Sequence, residues 1–77
     1  MDFELDYTPE DIGEIIMLLR IKHYKMSIDE FCKKTGINNK TLPHVEVGRS
    51  AHVYTTFKKL IEDGYFKNVK LHLSFSV

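Results

Sequence analysis

Asn39, Lys40, Thr41 and His44 place an amide, an ammonium, a hydroxyl and an imidazole within one short stretch of chain. An amide can bond bidentately to adenine and an ammonium can donate to guanine acceptors, each good pairing discriminating by about 1–3 kcal/mol. Around them Ser27, Lys33, Lys34, Arg49, Ser50 and His52 offer hydroxyls, cations and imidazole suited to phosphate oxygens. Phosphate contacts of that kind set register and orientation and carry no sequence information. Cys32, with His23, His44, His52 and His72, raises the separate question of a thiol nucleophile or a metal centre. The spacings answer it, because zinc patterns pair Cys or His roughly two to five residues apart and no such pair occurs. No glycine-rich phosphate loop and no paired carboxylates of a cleft are present, and Cys32 falls on the inward face of a short helix. The expectation is a protein that is not an enzyme and needs neither metal nor cofactor.

The elements that must position these side chains are legible between Ser27 and Ser50, SIDEFCKKTGINNKTLPHVEVGRS. Ser27-Ile28-Asp29-Glu30 has the form of a capping box and opens a helix over residues 27–35. Gly36 suits the left-handed position that ends it, and Ile37 a buried place in the turn. Asn38 then caps a second helix over residues 38–46. Phe31, Cys32, Ile37, Leu42 and Val45 must share a buried side, which turns Asn39 and Lys40 outward, leaves Thr41 straddling the two, and puts His44 either outward on the helix or packed beside Pro43. Pro43 is the awkward residue: in a helix interior it removes a donor and collides with the preceding turn, at about 3 kcal/mol, and less near the first turn. Two short helices joined by a tight turn form the helix-turn-helix layout, whose second helix enters the DNA major groove.

The flanks read as helix on both sides. Thr8-Pro9-Glu10-Asp11 combines a cap, a proline preset for the first turn and acids that complement the helix dipole. It opens a helix over residues 8–24 with Ile12, Ile15, Ile16 and Leu19 on one face, while Met17, Leu18 and Ile21 widen the apolar surface and call for a second contact. Arg20, near its end, is placed to pair with Glu46 or with the helix terminus, the alternative being a phosphate contact. Ser50 begins a further helix over residues 50–63, carrying Val53, Tyr54, Phe57, Leu60 and Ile61, and Gly64 ends it. Residues 69–76 alternate apolar and polar side chains as a half-buried strand does. The strand needs a neighbour, supplied by residues 1–7 or by a second subunit. The fold class is all-α, a compact four-helix core with one short C-terminal β-strand, and residues 1–77 form a single domain.

Composition agrees with a small soluble domain. The chain has 77 residues, 43% of them hydrophobic and 29% charged, and a single cysteine. One cysteine forms no internal disulfide, no apolar run approaches the ~20 residues of a membrane span, and the N-terminus is acidic where a signal peptide is cationic. A cytoplasmic location is expected. Net charge is zero, but its distribution is uneven: six acids and no Lys or Arg occupy the first fourteen positions. From Ile15 onward eleven Lys or Arg face five acids, a local net of +6. Binding to double-stranded DNA depends on local phosphate neutralisation, so a neutral chain with a basic face qualifies.

On Ile12-Gly13-Glu14, Leu19-Arg20, Ser27-x-x-Glu30-Phe31, Gly36-Ile37, Thr41-Leu42 and Glu46-x-Gly48-Arg49, the chain resembles the lambda-repressor-like (XRE-type) helix-turn-helix family. The likeness runs from about Ile12 to Gly64. It implies a third helix that reads DNA and a following loop that grips phosphates, with Asn39, Lys40 and His44 in the groove and Arg49, Ser50 and His52 near the backbone. It departs at Ile28, where the family often has Gln, at Cys32 in place of a smaller residue, at Val47 in place of Asn, and at Pro43. The resemblance implies a repressor-like or antitoxin-like transcription regulator, with a toxin as a conceivable protein partner. A homodimer joined through Leu71, Leu73 and Phe75 would pair the terminal strands and present two readers to DNA. The rival expectation is a protein-interaction adaptor, or a toxin-neutralising partner, that keeps this fold without binding DNA.

Overall fold

The computed structural model describes residues 8–70, which form four helices and no strand. Helix α1 (Pro9–Leu18) starts at Thr8, whose hydroxyl accepts from the Asp11 N–H while the Asp11 carboxylate accepts from the Thr8 N–H. Its last stretch, Leu19–Tyr24, widens into π winding and is closed by Lys25 in the left-handed conformation. Helix α2 (Ile28–Thr35) carries the expected capping box: Ser27 Oγ accepts from the Glu30 N–H at 3.2 Å, and Glu30 Oε1 accepts from the Ser27 N–H at 2.9 Å. Gly36, at φ +81°, ends it by donating its N–H to the Cys32 carbonyl. Helix α3 spans Leu42–Glu46 and helix α4 spans Val53–Glu62. No helix among these residues is long and apolar enough to cross a membrane.

Three boundaries differ from expectation. The helix expected over residues 38–46 contracts to Leu42–Glu46, and Asn39, Lys40 and Thr41 occupy the turn before it. Pro43 is the cause. Leu42 donates its N–H to the Asn38 carbonyl at 3.0 Å, but Pro43 has no N–H to continue the ladder to Asn39. The fourth helix begins at Val53 rather than at 50, because Ser50 Oγ accepts the His52 N–H two residues on and shapes a turn instead of capping. Val69 and Lys70, the first positions of the expected strand, are irregular; the remainder, with Leu71, Leu73 and Phe75, lies outside the described residues, as do residues 1–7.

The core gathers Ile12, Ile15, Ile16 and Leu19 of α1, Phe31 and Cys32 of α2, Ile37 of the turn, Leu42 and Val45 of α3, and Val53, Phe57 and Leu60 of α4. All five residues expected to share the buried side of the central segment do so. The chain beyond α4 is tied back by aromatic contacts. Phe66 meets Phe57 edge-on at 5.3 Å, Tyr24 Oη donates to the Tyr65 carbonyl at 2.8 Å, and Tyr65 Oη donates to the Lys34 carbonyl at 2.9 Å.

Candidate nucleic-acid interface

Helix α3 has only five residues, so its direction depends on what grips its ends. At the C-terminal end, Gly48 donates its N–H to the Val45 carbonyl and Arg49 to that of His44, the paired bonds of a Schellman motif. This motif needs a left-handed residue, and Gly48 sits at φ +78°. A Cβ on Gly48 would also lie 2.6 Å from Glu10 Cα, so the loop rests directly on the first turn of α1. From the other side, a Cβ on Gly13 would stand 2.4 Å from the Val45 carbonyl oxygen. Two glycines therefore let the α1 backbone touch the end of α3.

Arg20 completes the clamp. Its Nε donates to Glu46 Oε2 at 2.7 Å and its Nη2 to Glu46 Oε1 at 3.0 Å, a bidentate pair with side chains 12% and 6% exposed. Its remaining arm, Nη1, donates to the Met26 carbonyl at 3.0 Å. The bonds to Glu46 hold the guanidinium pKa above its ordinary value, against the opposing effect of burial. The expected pairing with Glu46 is present, and the link to Met26 adds the loop before α2 to the same cation.

With α3 so held, Leu42 and Val45 are fully buried while Asn39, Lys40 and His44 are exposed and Thr41 is half-buried. Asn38 Oδ1 accepts the Lys40 N–H at 2.7 Å, a local turn bond that shapes the approach to the helix. Asn39 and Lys33 share a shallow depression with Asp29, Cys32 and Ile37. Thr41 and His52 share another with Asn38, Thr55 and Lys59, across the turn between α2 and α3. The surface around α3 thus offers amide, hydroxyl, ammonium and imidazole groups, with Asp29 as a carboxylate at its edge. Neither a family model, nor a curated protein, nor a solved structure matches this chain.

The other residues expected to touch phosphate are placed unevenly. Arg49 is exposed immediately after Gly48, and Ser50 is half-buried in the turn that follows. Lys34 is drawn elsewhere: its ammonium lies 5.5 Å from the Tyr24 ring centroid and 5.9 Å from that of Tyr65. Ser27 is engaged in its capping box, and the hydrogen bonds from Ser27 hold the Glu30 carboxyl below its usual pKa. That charge, with Asp29 beside it, opposes an anion at the start of α2. Cys32 is buried, and burial, with Asp29 and Glu46 nearby, pushes its thiol pKa up and keeps it protonated. Among the described residues, no three His, Cys, Asp or Glu side chains converge on a point where a metal could be held.

Sequence reasoning missed the packing role of Gly13 and the π winding at the end of α1. A glycine among strong helix formers lowers helix stability by about 1 kcal/mol, and that local cost was the available signal for a close approach. Nothing comparable marks the π turn, because its residues are ordinary helix formers.

Proposed function

We propose that this chain is a sequence-selective DNA-binding regulator of the lambda-repressor-like type, which inserts α3 and the turn before it into the major groove. One observation carries the reading: Leu42 and Val45 are wholly buried while Asn39, Lys40 and His44 on the same short segment face solvent. A helix anchored on one side and polar on the other, with both ends fixed by backbone contacts, is a rigid support for base readout. Asn39 and Lys40 read base edges, His44 contributes from the next turn, and Thr41 presents its hydroxyl at the rim. Lys33, Arg49 and His52 bind phosphates. The protein acts as a homodimer on a two-part site, as a repressor or as the antitoxin of a toxin pair.

Selection from a mixed-sequence duplex library, followed by titration with salt, tests this. A DNA reader enriches a short site and loses affinity steeply as salt rises. Lys40→Ala should relax selection at one base position, whereas Arg49→Ala should weaken all sequences alike. Failure to enrich any sequence, with both variants equal to the parent, refutes the reading. The second reading, a protein-interaction adaptor, draws on Val47, which is 54% exposed beside the candidate interface. An apolar side chain there suits a protein surface better than a phosphate.

A further inference from the structure

The two ends of α3 are held by different means. Behind it, Gly13, Gly48 and Arg20 bring the helix C-terminus against α1. In front, a Cβ on Gly36 would meet no described atom within 4 Å, so the turn gains no support from close packing at that point. Buried Ile37 anchors its far side, and its near side is held by hydrogen bonds to the last carbonyls of α2, which a helix cannot satisfy from within. Tyr65 Oη donates to the Lys34 carbonyl at 2.9 Å, and Lys59 Nζ donates to the Thr35 carbonyl at 3.1 Å. Thr35 is itself buried, and its hydroxyl donates to the Phe31 carbonyl while accepting the Ile37 N–H.

The two distant donors are themselves located. Lys59 lies on α4, ion-paired with Asp63 at 2.7 Å, and borders the same depression as Gly36, Ile37, Asn38 and Thr41. Tyr65 follows α4; its carbonyl accepts from Tyr24 Oη at 2.8 Å, and the two rings stand edge-on with centroids 6.0 Å apart. Neither donor is needed to end α2, because Gly36 already does so in the left-handed conformation with its N–H on the Cys32 carbonyl. What the two side chains add is direction. They tie the residues just before the turn to α4 and the chain beyond it, and base readout requires placement within about 0.5 Å.

We propose that Lys59 and Tyr65 are positioning residues, which hold the end of α2 so that the turn carrying Asn39, Lys40 and Thr41 meets base edges in register. The proposal rests on the DNA-binding reading above. The test compares variants of the full chain on the duplex selected for the parent and on a scrambled one, with hydrogen exchange measured alongside. Tyr65→Phe removes one bond and no charge, and Lys59→Met removes the other bond. Each should lower the ratio of selected to scrambled affinity about 5-fold, the weaker limit for one misplaced base contact. Lys59→Met should keep the parent's salt slope, and Lys59→Arg, which retains donors for Thr35 and Asp63, should restore the ratio. Without DNA, exchange at the Ile37, Thr41 and Leu42 N–H groups should quicken about 5-fold in Tyr65→Phe and Lys59→Met, the weight of one lost hydrogen bond, while Gly48 and Arg49 keep their rates. Equal quickening at both ends of α3 assigns the two side chains to general stability and overturns the proposal. An unchanged affinity ratio in variants of a parent that binds overturns it too. A salt slope lowered by about 0.9 in Lys59→Met, with the ratio unchanged, makes Lys59 a phosphate contact instead. A parent that enriches no sequence overturns the DNA reading and this use of the turn together, leaving the exchange rates to report the bonds alone.

Discussion

At the scale of single residues, the ion pair between Arg20 and Glu46 does most to hold α3 in place, because it joins α1, the loop before α2 and α3 through one guanidinium. Removing one partner of a well-buried pair leaves a charge without compensation. Glu46→Leu should therefore cost about 3 kcal/mol, measured by urea unfolding. Arg20→Met combined with Glu46→Leu should recover much of that loss, since two apolar side chains leave no buried charge behind. If the double variant is no more stable than Glu46→Leu, the pair does not act as a unit. Glu30 behaves differently, because it is exposed and its pKa is lowered by its bonds with Ser27. Its contribution to stability is full above the unfolded carboxyl pKa of about 4.3 and is lost as pH falls through the lower folded value. Glu30→Gln keeps an acceptor for the Ser27 N–H but does not titrate, so it should remove this group's share of the acid-side decline. Urea midpoints compared between about pH 6 and pH 3 would show parallel curves if that assignment is wrong.

At the scale of elements, α3 is the least self-sufficient part of the fold and depends on its neighbours for direction. Gly13→Ala would drive a methyl group toward the Val45 carbonyl, 2.4 Å from the ideal Cβ position. Overpacking against backbone should cost about 2–3 kcal/mol and tilt α3 away from α1, visible as unfolding at lower urea and as amide shift changes confined to α1 and α3. Pro43→Ala tests the other end. Restoring the missing N–H should extend α3 backward through Asn39, with helical Cα shifts appearing at residues 39–41; unchanged shifts there would mean that Pro43 is not the cause of the short helix. The expectations from sequence succeeded and failed along the same physical line. Ser27, Glu30 and Gly36 mark α2 correctly because caps are local signals, satisfied by bonds within three or four residues. The inward set from Phe31 to Val45 was equally legible because helical spacing constrains it. The boundary at residues 38–41 depended on how far one proline disturbs the turn before it, and the close approach at Gly13 depends on an element more than thirty residues away. Neither can be read from periodicity.

For the whole molecule, charge and exposed apolar surface bear on assembly. The acids are concentrated before Ile15 and the cations after it, and the loop that carries Arg49 rests on the acidic first turn of α1. Ile21, Tyr54 and Ile61 are each about 40% exposed, with Tyr54 and Ile61 seven residues apart on α4 and therefore on one face. Residues 69–77 alternate apolar and polar side chains in the sequence, and residues 71–77 lie outside the described structure. The homodimer proposed above would cover such a face. A twofold dimer places two readers on one face of DNA, about one helical turn or roughly 34–36 Å apart. The enriched duplex should then contain two related half-sites centred about 10 base pairs apart and bind two chains, as mass measurements on the complex would show. If the proposed dimer forms through the terminal segment, Leu73→Asp or Phe75→Asp should abolish it and weaken binding to the paired site, while leaving the helical signal and binding to an isolated half-site unchanged. A single undivided site bound by one chain, with both aspartate variants indistinguishable from the parent, would remove the twofold arrangement without touching the reader. An unfolded Leu73→Asp chain would instead assign the terminal segment to the core of its own subunit.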